Sequence, residues 1–215
     1  MMAVNVKQLN DATIIAVGQS KADRLRARME MKQRLLAKAA IRVPDDSPWI
    51  ALKVMTGREH AVEKVLSDAG VEVCVPTRKG PEKRRRGKTI PSSVLPVLIG
   101  YVMVRCAISN EALAGLLAVD NVLNIVGGYG APDLTSAENI RKFIAKASEG
   151  EFDWERPAGL FKRGMEVQIK DGLFSGHRAN IISCRSDGKG DAVIELPLFP
   201  GVSSMIIPLA NLERL

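Results

Sequence analysis

Phe161-Lys-Arg-Gly164-Met-Glu-Val167-Gln-Ile169-Lys-Asp171-Gly172-Leu-Phe174-Ser-Gly176 holds a strand, a turn and the start of a return. Val167 and Ile169 alternate with polar neighbours, so their side chains share one face of a strand. Asp171-Gly172 follows at once, and Asp-Gly after an alternating run is a strong hairpin signal, because glycine takes positive φ without steric cost. Phe174 is a buried-type aromatic just beyond the turn. Downstream, apolar alternation and turn residues predict further short strands at 179–184, 191–196, 203–208 and 211–214, after a first strand at 165–170. Closely spaced short strands of this kind indicate a small barrel over 160–215.

Immediately upstream, residues 148–159 are acidic and contain Gly and Pro, which reads as a linker. Residues 49–147 read differently. Trp49 to Val54 is strand-like, and Thr56-Gly-Arg-Glu59 has the form of a capping box opening a helix. Ala61, Val62, Val65, Leu66 and Ala69 give that helix an apolar face, and Gly70 ends it. Strands are expected at 71–75, 98–106 and 122–126. Ser109 opens a short helix, and Thr135-Ser-Ala-Glu138 suggests a second capping box before a helix bearing Ile140, Phe143, Ile144 and Ala147. The order β-α-β-β-α-β-α does not alternate strictly. An α+β fold with an antiparallel sheet and helices on one face is expected.

Residues 1–48 form an N-terminal extension with nine basic and five acidic residues. Residues 21–40 lack Gly and Pro and are rich in strong helix formers. Leu25, Met29, Leu36 and Ala40 recur at helical spacing, opposite a basic face of Arg24, Arg28 and Lys32. This helix either packs on the body or contacts a partner.

The chain has 215 residues, 46% of them apolar, and a net charge of +7. A basic balance favours a polyanionic partner without fixing a fold. Cys74, Cys106 and Cys184 are odd in number and widely spaced, with no CxxC pair and no matching His60 or His177 spacing, so reduced, packed thiols and no metal are expected. No 18-residue apolar run and no secretory pattern occur, so a cytoplasmic protein without a membrane span is expected. Catalytic patterns are also lacking. Gly127-Gly128-Tyr129-Gly130 reads as a turn rather than a dinucleotide fingerprint, and His60 and Glu63 have no nucleophile beside them. No cofactor and no enzymatic activity are expected.

The densest charge lies at 78–88, where seven of eleven residues are basic: Arg78, Lys79, Lys83, Arg84, Arg85, Arg86 and Lys88. Such a loop must project into solvent. It is a free solvated loop, a contact for nucleic-acid phosphates through counterion release, or a contact for an acidic protein. It has no aromatics for base stacking.

The 161–176 stretch resembles the KOW motif of transcription elongation factors and ribosomal proteins. Taken with Trp49-Ile-Ala-Leu-Lys-Val54 and Gly100-Tyr101-Val-Met-Val104, it makes the chain similar to the NusG family of bacterial transcription factors over residues 49–215. The resemblance implies an NGN-type α/β sandwich at 49–147 and an SH3-like KOW barrel at 160–215. The compact family members have no counterpart of 1–48, which suggests a specialised paralogue.

The same resemblance implies a monomer that binds RNA polymerase in the elongation complex and modulates elongation, pausing, termination or antitermination. Trp49, Leu98, Ile99 and Tyr101 would line a depression gripping the clamp helices of the largest catalytic subunit; on the residues alone they are equally core. Leu98 and Ile99 replace an aromatic and a proline there. The basic run matches a variable hairpin near upstream or nontemplate DNA. In the barrel, Asp171, Gly172, Phe174 and Gly176 match the motif turn, with Leu173 in place of Pro and Ala179 at a usual glycine. Phe174, Ile181 and Ile182 are either barrel core or a surface for the helicase Rho or the ribosomal protein NusE. In the RfaH subgroup this barrel can refold into a helical hairpin. Here Pro197, Pro200 and Pro208, with Gly188, Gly190 and Gly201, break a long helix, so a stable barrel is expected. The alternative is an RNA-binding or ribosome-associated KOW protein.

Overall fold

The computed structural model describes residues 21–85, 87–199 and 201–215. The parts of the N-terminal extension before Lys21, together with Arg86 and Pro200, lie outside the described residues, as do the side chains of residues 83–85, 197–199 and 201–203.

The first unit is a four-stranded antiparallel sheet in the order β2-β7-β1-β8. Its strands are β1 (Ile50–Val54), β2 (Glu72–Cys74), β7 (Tyr101–Arg105) and β8 (Val122–Ile125). β1 is central, pairing Leu52 with Val102 of β7 and with Ile125 of β8. Successive side chains of a strand point to opposite faces. Ile50, Leu52 and Val54 therefore join Val102 and Val104 in one buried cluster, and Ala51 joins Tyr101 and Met103 in another.

Three helices close the first face. α2 (Glu59–Asp68) contributes Val62 and Leu66, and α3 (Asn110–Leu117) contributes Ala112, Leu113 and Leu116. α1 (Lys21–Ala39) lies on α3, where a Cβ at Gly115 would stand 2.5 Å from the Leu35 carbonyl. Only glycine permits that approach. The expected apolar stripe of α1 holds only toward its C-terminal end: Leu36 and Ala40 pack against the core with Ala39, while Leu25 and Met29 are exposed. The opposite face holds α4 (Ala137–Ser148) through Ile140, Phe143 and Ala147. Helices thus occupy both sides rather than one.

Neither capping box forms as expected. Arg58 stands at the N-cap of α2 and makes no side-chain capping hydrogen bond. α4 is capped by Ser136, whose hydroxyl accepts from the Asn139 N–H, and not by Thr135. Ser109 does cap α3, accepting from the Ala112 N–H. The expected strand at 98–106 starts only at Tyr101, because 98–100 turn.

Residues 77–96 are not an open loop. β3 (Thr77–Lys79) pairs with β6 (Val94–Pro96), and β4 (Lys83–Arg85) pairs with β5 (Lys88–Ile90), giving a two-stage antiparallel ribbon. Residues 148–159 are likewise no free tether, since Phe152 is fully buried against Phe143.

The C-terminal unit is a five-stranded antiparallel sheet in the order β12-β11-β10-β9-β13. Its strands are β9 (Glu166–Ile169), β10 (Arg178–Cys184), β11 (Asp191–Phe199), β12 (Gly201–Pro208) and β13 (Leu212–Arg214). The two edge strands are consecutive in sequence, joined only by the 3-10 turn Leu209–Asn211. In a flat sheet the edges would stand about 19 Å apart, four strand spacings. A single 3-10 turn spans roughly 8 Å. The sheet therefore curls until its edges approach, which is the small barrel the alternation predicted. Ala179 sits in β10 opposite Val167, in extended backbone, so it does not need glycine's freedom.

Candidate functional site

The turn leading into β7 is built around Gly100, whose φ of +84° favours glycine. Its N–H donates to Glu59 Oε1 at 2.7 Å, and its carbonyl accepts from the Val54 N–H at 2.8 Å. Glu59, a buried acid at the first turn of α2, thereby anchors the segment that presents Leu98 and Tyr101. Leu98, Tyr101 and Trp49 are brought together with Val97, Ala51 and Met103 on one apolar face, with Ile99 half-buried beside them.

That face is not open to solvent. The Phe174 ring meets Tyr101 edge-on at 5.1 Å between centroids, a favourable aromatic geometry. Thr135 donates its hydroxyl to the Leu173 carbonyl at 3.0 Å. Lys146 Nζ on α4 lies 2.7 Å from Asp171 Oδ2. Gly172, at φ +90°, lets the turn rest on Phe143, where a Cβ would stand 3.1 Å from the ring. Asn211 clamps the same turn, accepting from the Asp171 N–H and donating to its carbonyl. The Asp171–Gly176 turn is thus the cap over the Leu98–Tyr101 face. Burial pushes the Tyr101 phenol above its ordinary pKa.

Phe174 and Ile181 are buried and Ile182 is half-buried, while Gly176 is exposed and donates its N–H to the Ile169 carbonyl. Of the three suggested partner-surface residues, only Ile182 retains part of its surface in this conformation.

Among the basic residues, Lys79 and Lys88 are exposed on the ribbon. Arg78 is different: its side chain is entirely buried, with Nη2 2.8 Å from Asp191 Oδ2 on β11. The expectation of a solvent-projecting Arg78 is therefore corrected. β3 turns it toward the barrel, where it also faces the Trp154 ring at 6.0 Å. The sequence reading did not find Glu59, Thr135, Trp154, Asp191 or Asn211 as positioning residues. Each acts on a residue distant in the chain, and no local pattern marks that pairing.

Burial also pushes the Cys74 and Cys106 thiols up to about 11, with Glu63 adding to the effect at Cys74. No group of three or more His, Cys, Asp or Glu among the described residues is arranged to hold a metal. No described helix is long and apolar enough to cross a membrane.

An antiparallel four-stranded sheet with helices, followed by a five-stranded curled sheet whose turn caps it, is the architecture of a two-part α+β factor. Residues 47–144 match the family model described as "Transcription termination factor nusG". The chain is 27% identical over 157 residues to the transcription termination/antitermination protein NusG of Streptococcus pyogenes serotype M1, covering 66% of this chain and 83% of that protein. It is 24% identical over 168 residues to the NusG of Vibrio cholerae, covering 74% and 85%. A solved structure of Thermotoga maritima NusG matches 78% of this chain and 97% of its own at 19% identity, with a TM-score of 0.41. Over these residues the chain is similar to the NusG transcription termination/antitermination proteins.

Proposed function

We propose that this protein binds RNA polymerase in the elongation complex and modulates elongation, pausing and termination or antitermination, as the names of its relatives suggest. The observation that supports this reading is the apolar face of Trp49, Leu98 and Tyr101, with Ile99 at its margin, built on a turn that the buried Glu59 holds in place. A contiguous apolar surface of this kind fits a helical partner segment such as the polymerase clamp helices. The chemistry is steric: a bound factor bridges and holds, and no bond is made or broken.

The exposed cations of the ribbon would meet upstream or nontemplate DNA, and the barrel, once free, would recruit a second factor such as Rho or NusE. The polymerase face lies beneath Phe174, so binding there requires the barrel to leave. Apparent affinity is then reduced by the fraction of molecules that are open.

Binding to reconstituted bacterial elongation complexes tests the proposal. Wild type is expected to bind, and Leu98→Asp/Tyr101→Ala, checked for folding by circular dichroism, is expected to lose at least tenfold in affinity. Equal binding by the two proteins, or none by wild type, overturns it.

A further inference from the structure

Three segments far apart in sequence meet at the base of the basic ribbon. The backbone N–H of Trp154 donates to the Lys79 carbonyl at 2.9 Å, and its backbone carbonyl accepts from the Gly190 N–H at 3.1 Å. Asp153 Oδ1 accepts from the Lys79 N–H at 2.8 Å. Gly190, at φ +79°, lies so close to the indole that a Cβ would stand 2.7 Å from it. The ribbon, the connecting segment and the barrel are therefore stitched into one junction.

Arg78 sits at its centre. Its guanidinium is buried with a single carboxylate, that of Asp191. Nη2 is 2.7 Å from Oδ1 and 2.8 Å from Oδ2, but only the second contact has hydrogen-bond geometry. Nε and Nη1 of Arg78 and Oδ1 of Asp191 are buried with no hydrogen-bond partner among the described residues. A guanidinium always carries its charge and offers five N–H donors in a planar fork. Leaving two of its nitrogens unpaired away from water is costly, so the closed junction holds a cation that is underserved where it sits. Opening the barrel returns those donors to solvent. On the same short strand, the adjacent Lys79 is exposed, and the ribbon beyond adds Lys83, Arg84, Arg85 and Lys88 in sequence. A phosphate backbone lying along the ribbon would meet Arg78 at the base of β3 only once the barrel has left, since the side chain is buried in the closed molecule.

We propose that Arg78 is a switch cation: in the closed molecule it belongs to Asp191 of the barrel, and a nucleic-acid phosphate at the ribbon base competes for it. Nucleic-acid binding and release of the barrel from the Leu98–Tyr101 face are then one coupled equilibrium. This rests on the nucleic-acid and polymerase reading above, and it supplies the regulation of that site. Coupling is reciprocal by linkage, so whatever opens the junction must tighten nucleic-acid binding by the factor through which nucleic acid opens it.

The experiment uses the full chain carrying Trp49→Phe, which leaves Trp154 as the only tryptophan. Trp154 emission reports the junction, and a fluorescent 20-base-pair DNA duplex and a 20-nucleotide single strand are the probes. Both Asp191→Asn and Arg78→Gln break the ion pair, so both are expected to shift Trp154 emission to the red. Only Asp191→Asn frees a cation. It is expected to bind the preferred DNA form at least fivefold more tightly than the parent, with a salt dependence steeper by roughly one phosphate contact. Arg78→Gln is expected to show no such steepening. In the parent, DNA itself is expected to move Trp154 emission toward the red. If both variants gain affinity with the same salt dependence, Arg78 is only a structural cation and the proposal fails. If DNA binds, with affinity lost in Lys79→Ala/Lys88→Ala, yet Trp154 does not respond, the ribbon reading stands and the switch falls. If neither DNA form binds at low salt, both fall. The polymerase reading is decided separately, by the elongation-complex measurement.

Discussion

The two faces of the four-stranded sheet are covered in different ways. One is sealed by α2 and α3, joined to its strands by short connections and packed through Leu52, Leu66, Val102 and Leu116 with scarcely a polar group among them. The other is covered mainly by α4 and by a barrel that begins more than sixty residues after the sheet strand it touches. Its contacts include a buried ion pair with unpaired nitrogens, a lysine–aspartate bridge, and two glycines under aromatic rings. A wholly apolar interface gains by excluding water everywhere. One containing an incompletely served charge is held less firmly, because water or another anion satisfies that charge better. The first cover is part of the fold; the second is suited to coming off.

The largest blow to this contrast comes from the permanent face. Leu52→Ala or Leu66→Ala, at fully buried positions, is expected to lower stability by about 2–5 kcal/mol. Denaturant unfolding followed by far-ultraviolet circular dichroism measures it. A loss confined to Trp154 fluorescence, with helix content melting as in wild type, would contradict a continuous core on that face.

On the removable face, Gly190→Ala places a Cβ against the Trp154 ring and asks alanine to hold positive φ. A cost of about 1–3 kcal/mol is expected, falling on closure. Faster protease cleavage within 148–159, with the helical signal unchanged, is the anticipated result; unchanged cleavage would mean that the junction does not govern closure.

The thiols give a pH test of the same contrast. In the folded chain both Cys74 and Cys106 titrate near 11, against 9.0 for an unburied thiol. The folded state therefore holds these protons more tightly than the unfolded chain. The stability they contribute is fully present below pH 9 and is lost as pH rises from 9 toward 11. Alkylation at pH 8 should be slow at both. Asp191→Asn should quicken it at Cys74, which borders the barrel-covered cluster, and leave Cys106 protected behind the helices. Equal acceleration at both cysteines would indicate general loosening.

The smallest effect belongs to the solvent-exposed pair Glu138–Lys142, four residues apart on α4. The lysine holds the glutamate below the usual carboxylate range. Glu138→Gln should change neither closure nor melting temperature measurably, since exposed pairs are screened by water and salt. A clear shift in either would give this end of α4 an unexpected part in docking the barrel.

Much of the architecture follows from neighbours along the chain. Alternating Val167 and Ile169, the Asp171-Gly172 turn, the apolar spacing of α2 and the basic run at 78–88 each act over a few residues, where backbone sterics and side-chain periodicity decide. Those features foretold the strands of the C-terminal sheet, the α+β class and the similarity to NusG proteins. They misplaced what depends on distant partners. Glu59 has the spacing of a capping residue but serves Gly100 instead, and Arg78 counts among solvent cations until Asp191 comes within reach. The apolar stripe of α1 is right at Leu36 and Ala40 and fails at Leu25 and Met29, because only the C-terminal end of the helix, near the close approach at Gly115, reaches the core.

The sequence by itself determined the two units, their strand patterns and the clustering of positive charge, because local conformational preference and hydrophobic period are properties of short segments. Only the tertiary structure decided that Phe174 lies on Tyr101 and that Arg78 leaves its basic neighbours for the barrel. Such pairings join residues tens of positions apart, and they are set by which surfaces fit once both units have folded.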